Sequence, residues 1–120
     1  MAHVLLAEDE APVREMVKHA LAGDGHTVTI AQDGQEALDL VSAPGAAFDV
    51  MLTDIQMPGI DGLTLANKAA VLMPKLKIVL MSAYIDQLDI PAALKPHIVR
   101  VLSKPLALEQ ARAAVKAAMT

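Results

Sequence analysis

The sequence predicts a doubly wound α/β domain: a (βα)5 chain with a five-stranded parallel sheet in the order 2-1-3-4-5 and helices on both faces. Three observations lead there. Five short β-rich runs alternate with longer stretches of helical periodicity, the pattern of a parallel sheet flanked by helices. Two of the runs, "FDVMLTD" (48–54) and "KIVLMS" (77–82), are apolar almost throughout, as strands covered on both faces are. Five strands are also too few for a closed barrel, which takes about eight, and they suit the flavodoxin-like order. With 120 residues the chain is expected to form one domain, 1–120.

The elements follow in order. "HVLLAE" (3–8) is the first strand. From Glu10 to Ala22, Val13, Met16, Val17, Ala20 and Leu21 recur at helical spacing, with Pro12 near the start, where its missing N–H costs nothing. Gly23 and Gly25 end that helix. "HTVTIA" (26–31) alternates polar and apolar residues, as an edge strand exposed on one face does. Asp33 stands three residues before Glu36, the spacing of a capping box, and opens a helix to about Ser42. After the third strand, Asp61 caps a helix from Gly62 to about Met73, and Pro74 stops it. The fourth strand is followed by "AYIDQLDIPAALKPH", where Pro91 and Pro96 confine a short fourth helix to the residues from about Pro91 to Lys95. "HIVRVLSK" (97–104) is the fifth strand. The last helix carries Leu108, Ala111, Val115 and Ala118 on one stripe. The methionines at 16, 51, 73 and 81 fall in core patterns.

Composition narrows the function. Net charge is −4, no Lys/Arg block is present, and Phe48 and Tyr84 are the only aromatic residues. A nucleic-acid surface needs a basic stripe and often stacking aromatics, so direct nucleic-acid binding is not expected. With no cysteine, neither a disulfide framework nor a thiolate metal site can form. No apolar run approaches the ~18 residues of a membrane span, and no signal peptide is evident, so a soluble cytoplasmic protein without membrane contact is expected. The histidines at 3, 19, 26 and 97 lie on separate elements without ligand spacing.

In a doubly wound sheet, ligands bind beyond the carboxyl ends of the strands, where the strand order reverses. Glu8 and Asp9 end the first strand here, Asp54 the third, Ser82 the fourth and Lys104 the fifth. Carboxylates so placed repel one another unless one is protonated or a cation lies among them. With only oxygen donors available, a hard ion is the natural guest, and Mg²⁺ is the first choice. A phosphate oxygen could share that ion, with Lys104 and the Ser82 hydroxyl on its far side, an arrangement suited to phosphoryl transfer. Asp54 would then be exposed at the strand tip as a nucleophile toward phosphorus. Taken singly, each residue has a structural reading. Glu8 and Asp9 could be solvated residues at a helix start, Asp54 could form an Asx turn before "MPG", and Ser82 and Lys104 could be surface residues. Five independent placements on one rim favour the joint reading.

The motifs "AEDE" (7–10), "LTDIQMPGIDG" (52–62), "MSAY" (81–84) and "LSKP" (102–105) resemble, in order and spacing, the receiver domain of two-component response regulators, the CheY-like superfamily. The resemblance covers the whole chain. It implies that Asp54 is phosphorylated by a histidine kinase or a phosphotransfer protein. It further implies that Asp9, Asp54 and the backbone carbonyl of Gln56 hold Mg²⁺, with Glu8 acting through a water. Ser82 matches the switch hydroxyl, and Lys104 matches the lysine that pairs with the phosphoryl group. The Lys104–Pro105 bond is usually cis in that family. Val101 stands where receivers often carry a switch aromatic, so Tyr84 either takes that part or is simply a loop aromatic. Among single-domain receivers, "LLAEDE", the "LSKP" end and the aromatic after the switch hydroxyl resemble the CpdR type.

The resulting expectation is a phospho-acceptor switch, not an enzyme beyond limited self-catalysed phosphorylation and dephosphorylation. Its output would be a downstream protein bound at the face made by the fourth helix, fifth strand and last helix. The first Met and the ending at the last helix suggest a stand-alone domain; a receiver cut from a longer regulator with a DNA-binding or other output domain is the alternative. A phosphatase with an aspartate nucleophile is disfavoured, because Gln56 stands where its general acid should be and cannot exchange a proton.

Overall fold

The computed structural model describes residues 1–120. It holds five strands, β1 (His3–Ala7), β2 (Thr27–Ala31), β3 (Val50–Asp54), β4 (Lys77–Ser82) and β5 (Ile98–Ser103). Four α-helices join them: α1 (Ala11–Gly23), α2 (Gly34–Ser42), α3 (Gly62–Leu72) and α4 (Leu108–Ala118). The strands pair in parallel in the order β2-β1-β3-β4-β5, as the sequence predicts.

Successive strand residues point to opposite faces, and both faces are covered. Leu5, Met51, Ile78 and Leu80 pack with α2 and α3 residues such as Ala37, Leu65 and Ala69. Val4, Leu6, Leu52, Val79 and Met81 pack on the other side with Val17, Leu21, Ala111 and Val115 from α1 and α4. Two cores sharing one sheet explain why β3 and β4 read as continuous apolar runs. β2 lies at an edge and β5 at the other.

The expected helix caps form. Asp33 Oδ1 accepts the Glu36 N–H at 2.8 Å, and Asp61 Oδ1 accepts the Thr64 N–H at 2.8 Å. Each satisfies an N–H that the first turn would leave orphaned.

Two expectations are corrected. No α-helix forms between β4 and β5. That crossover has two 3₁₀ turns, Ile85–Gln87 and Lys95–His97, and between them one turn in which the Pro91 carbonyl accepts from both Leu94 and Lys95. The cause is the spacing of Pro91 and Pro96, which leaves too few N–H groups to propagate a helix beyond its nucleus. Met16 is also no core residue: it is half exposed, and the buried stripe of α1 is Arg14, Val17 and Leu21.

Candidate functional site

A parallel sheet brings every strand's carboxyl end to one rim, so residues distant in sequence meet there. Ala7 pairs with Thr53, Asp54 with Met81, and Ser82 with Ser103. This register carries Glu8, Asp54, Ser82 and Lys104 to adjacent positions. Carboxylate oxygens of Glu8, Asp9 and Asp54 lie within 4.8 Å of one another.

The loop behind Asp54 is fixed by close packing. The Ile55 N–H donates to the Met81 carbonyl at 3.0 Å, and the Gly62 N–H donates to the Ile55 carbonyl at 2.8 Å. A Cβ at Gly62 would overlap the Asp54 carbonyl oxygen, so only glycine lets α3 start this close to the strand. Gly59 turns the loop with φ +76, where a side chain would be strained.

The charges interlock. Lys104 Nζ donates to Asp54 Oδ2 at 2.6 Å and to Glu8 Oε1 at 3.3 Å. Glu8 Oε2 accepts the Glu10 N–H at 3.1 Å. Burial pushes the Glu8 carboxyl above its usual range, and the Asp54 charge adds to that; the Glu10 N–H and Lys104 oppose it. For Lys104, burial favours the neutral amine, but hydrogen bonds and charge from Asp54 and Glu8 outweigh it and raise the pKa. The Lys104–Pro105 peptide is cis.

Asp54 is not exposed as the sequence reading has it. It is 2% exposed, because Lys104 and the neighbouring strand ends close over it. Its Oδ1 is buried with no hydrogen-bond partner. An unpaired carboxylate oxygen facing two further acids is costly, and the all-oxygen donor set fits a hard cation. Asp9 is exposed on the same cluster. Ser82 is fully buried; its Oγ accepts the Tyr84 N–H at 2.9 Å and donates to Gln56 Oε1 at 3.3 Å. Gln56 is exposed in the loop after β3, and Tyr84 is 56% exposed.

Two contributions escape the sequence reading. Arg14 is buried and donates through Nη1 to the Glu8 carbonyl at 2.8 Å, bracing the acid loop. Its place three residues before Val17 on the buried stripe was the available signal. The second is the Gln56 side chain on Ser82, which no local pattern announces.

Residues 4–116 match the family model described as "Response regulator receiver domain". The chain belongs to that family.

The receiver is 35% identical over 108 residues to the response regulator receiver protein CpdR of Brucella abortus (strain 2308), covering 90% of this chain and 88% of that one. It is 32% identical over 117 residues to the DNA-binding transcriptional regulator NtrC of Escherichia coli (strain K12). There it covers 98% of this chain but spans only 24% of NtrC's length. The solved response regulator protein TrrA of Thermotoga maritima, in complex with Mg²⁺-BeF, superposes with a TM-score of 0.82 at 28% identity, covering 98% of this chain and 99% of that one. Receivers are the regulatory phospho-acceptors of two-component systems, not classical enzymes, and take phosphoryl groups from histidine kinases or phosphotransfer proteins. The family binds Mg²⁺ at an acidic pocket, and here Glu8, Asp9 and Asp54 form an acidic cluster at the strand ends. No helix is long and apolar enough to cross a membrane.

Proposed function

We propose that this receiver is a switch whose phospho-acceptor is Asp54. One observation carries the reading: Lys104 Nζ holds Asp54 Oδ2 at 2.6 Å while Oδ1 stays buried and unpartnered. In the transfer, an Asp54 carboxylate oxygen bonds to phosphorus as the N–P bond of the donor's phosphohistidine breaks. The imidazole, already protonated on its other ring nitrogen, takes the electron pair of the N–P bond and leaves neutral, and Asp54 becomes an acyl phosphate. Lys104 exchanges its carboxylate contact for the incoming phosphoryl oxygens, a charge-assisted pair on the same side of the site. Ser82 is the switch hydroxyl. To donate to the phosphoryl group it must give up Gln56 Oε1, since it has one proton. Glu8, Asp9, Asp54 and the backbone carbonyl of Gln56 would hold Mg²⁺, which when bound offsets the meeting of two anions. The likeness to TrrA, solved in complex with Mg²⁺-BeF, supports a role for the ion in this fold.

The donor is a histidine kinase or histidine phosphotransfer protein. The output is a protein contact on the face made by the 83–97 crossover, β5 and α4, with no direct nucleic-acid contact by this domain. A receiver of a longer regulator fits equally, since the chain spans 24% of NtrC. Any self-catalysed loading and hydrolysis is limited.

Incubation with acetyl phosphate and Mg²⁺ is expected to add one phosphoryl group by intact mass, and none to Asp54→Asn. Equal loading of that variant would place the acceptor elsewhere.

A further inference from the structure

A groove of about 440 Å³ runs between α2 and α3 at their carboxyl ends. It is lined by Leu38 and Ser42 from α2, one helical turn apart, and by Asn67, Lys68, Val71 and Leu72 from α3. The Ser42 hydroxyl is spent on the Leu38 carbonyl at 2.7 Å, so it offers nothing polar to a ligand. Val71 is 80% exposed and Leu72 51%, and they are the only two neighbours in sequence among the exposed large apolar residues. Leu72 also lines the adjoining hollow, where Phe48, Met73, Pro74 and Lys75 continue the surface. Neighbouring apolar side chains left in water at the end of a helix pair mark a contact surface.

Charge says what covers it. Lys68 and Lys75 flank the two hollows, and neither is in an ion pair. No acidic side chain lines either hollow, although the whole chain carries a net charge of −4. Asp39, the acid next to Leu38 in α2, is outside the lining of both hollows and accepts a hydrogen bond from Gln35 Nε2 at 2.9 Å. A second copy of this chain is a poor occupant, because a two-fold contact brings two copies of the same lysine-bearing, acid-free surface together and offers those lysines no opposite charge. A helix with an apolar stripe fills such a groove with residues at i, i+3, i+4 and i+7, and acids beside the stripe meet the lysines.

We propose that the α2–α3 groove is a docking site for an acidic amphipathic helix of a partner protein, at the edge of the sheet remote from Asp54. The hollow beside Phe48 and Leu76 lies where β3 and β4 begin, whereas Asp54 ends β3. The five residues of β3 separate the two by roughly 16 Å. Docking is therefore indifferent to the state of Asp54 and does not rest on its assignment.

The test is fluorescence anisotropy with two synthetic helical peptides that share a leucine stripe, one bearing glutamate and the other lysine on its remaining positions. The acidic peptide binds saturably and the basic one at least tenfold more weakly, with affinity for the acidic peptide falling as salt rises. Val71→Asp, an exposed change checked for folding by its thermal melt, weakens the acidic peptide roughly tenfold. Lys68→Glu with Lys75→Glu reverses the preference, and Asp54→Asn leaves it unchanged. Equal binding of both peptides, no saturable binding, or binding unmoved by Val71→Asp overturns the proposal. So does sedimentation showing a dimer that Val71→Asp dissolves, which would make the occupant a second copy.

Discussion

At Lys104 one cation answers for two carboxylates, and it can do so because an ammonium is a compact charge with three donors that need not lie in one plane. Glu8 is fully buried, Asp54 nearly so, and the Lys104 side chain is a fifth exposed. Lys104→Ala would leave the two acids facing each other out of water. Breaking a buried pair costs about 3–5 kcal/mol, and the partial exposure of the lysine lowers the expectation here to about 2–3 kcal/mol. A divalent cation in the acidic pocket would replace part of the lost positive charge. Mg²⁺ is therefore expected to raise the melting temperature of Lys104→Ala by more than it raises that of the natural sequence. An equal rise in both would mean that the ion sits away from Glu8 and Asp54. Gly62→Ala acts on the same site from behind: its methyl meets the Asp54 carbonyl, and relief requires moving either α3 or the end of β3. A loss of about 2–3 kcal/mol in urea unfolding is expected. A variant of natural stability would show that the loop yields without strain.

Among the elements, the crossover from β4 to β5 departs furthest from the regular pattern. The sequence announced a weakness here, since Pro91 and Pro96 interrupt any helix, but a single hydrogen-bonded turn forms instead of the short helix expected. Periodicity identifies α1 and α4 because each has enough turns to display a stripe, and cap and stop residues mark α2 and α3; a segment between two prolines has too few turns for such a pattern to be decisive. What holds the crossover down is Leu94, 1% exposed and part of the core formed with α2 and α3, helped by the partly buried Leu88 and Ile90. Leu94→Ala should cost about 2–4 kcal/mol. Amide exchange in residues 83–97 of that variant should quicken ahead of the strands, because its few turns have no helix to fall back on. Uniform quickening across the sheet would instead show that the crossover and core open as one unit.

On the scale of the whole molecule, the rim was legible because parallel topology is an addressing rule: the last residue of each strand goes to one edge, whatever its separation in sequence. Lys104 meets Glu8 across 96 positions for that reason alone. The burial of Asp54 was not legible, since it depends on how far the Lys104 side chain reaches across the strand ends, and no spacing in the sequence encodes that. The opposite edge has a long-range tie of its own. Arg112 on α4 donates through Nε and Nη2 to both oxygens of Asp24, just past α1, at 2.9 and 2.8 Å. Its third contact is Glu109 Oε1 at 2.6 Å. The hydrogen bonds from Arg112 hold the Asp24 carboxyl below the usual carboxylate range, with the Arg112 charge adding to them. A carboxyl whose folded value is depressed contributes stability above its unfolded value, near pH 4, and loses it as pH falls through the lower folded value. Asp24→Asn keeps the side-chain shape but cannot titrate. Its unfolding free energy should therefore fall below that of the natural sequence at neutral pH, with the gap closing as pH drops below about 4. The pair is partly exposed and therefore screened, so the gap should also shrink in high salt. Urea unfolding of the two proteins across that pH range measures the difference, and a gap that persists unchanged into acid would show that the contact stabilises by packing rather than by charge.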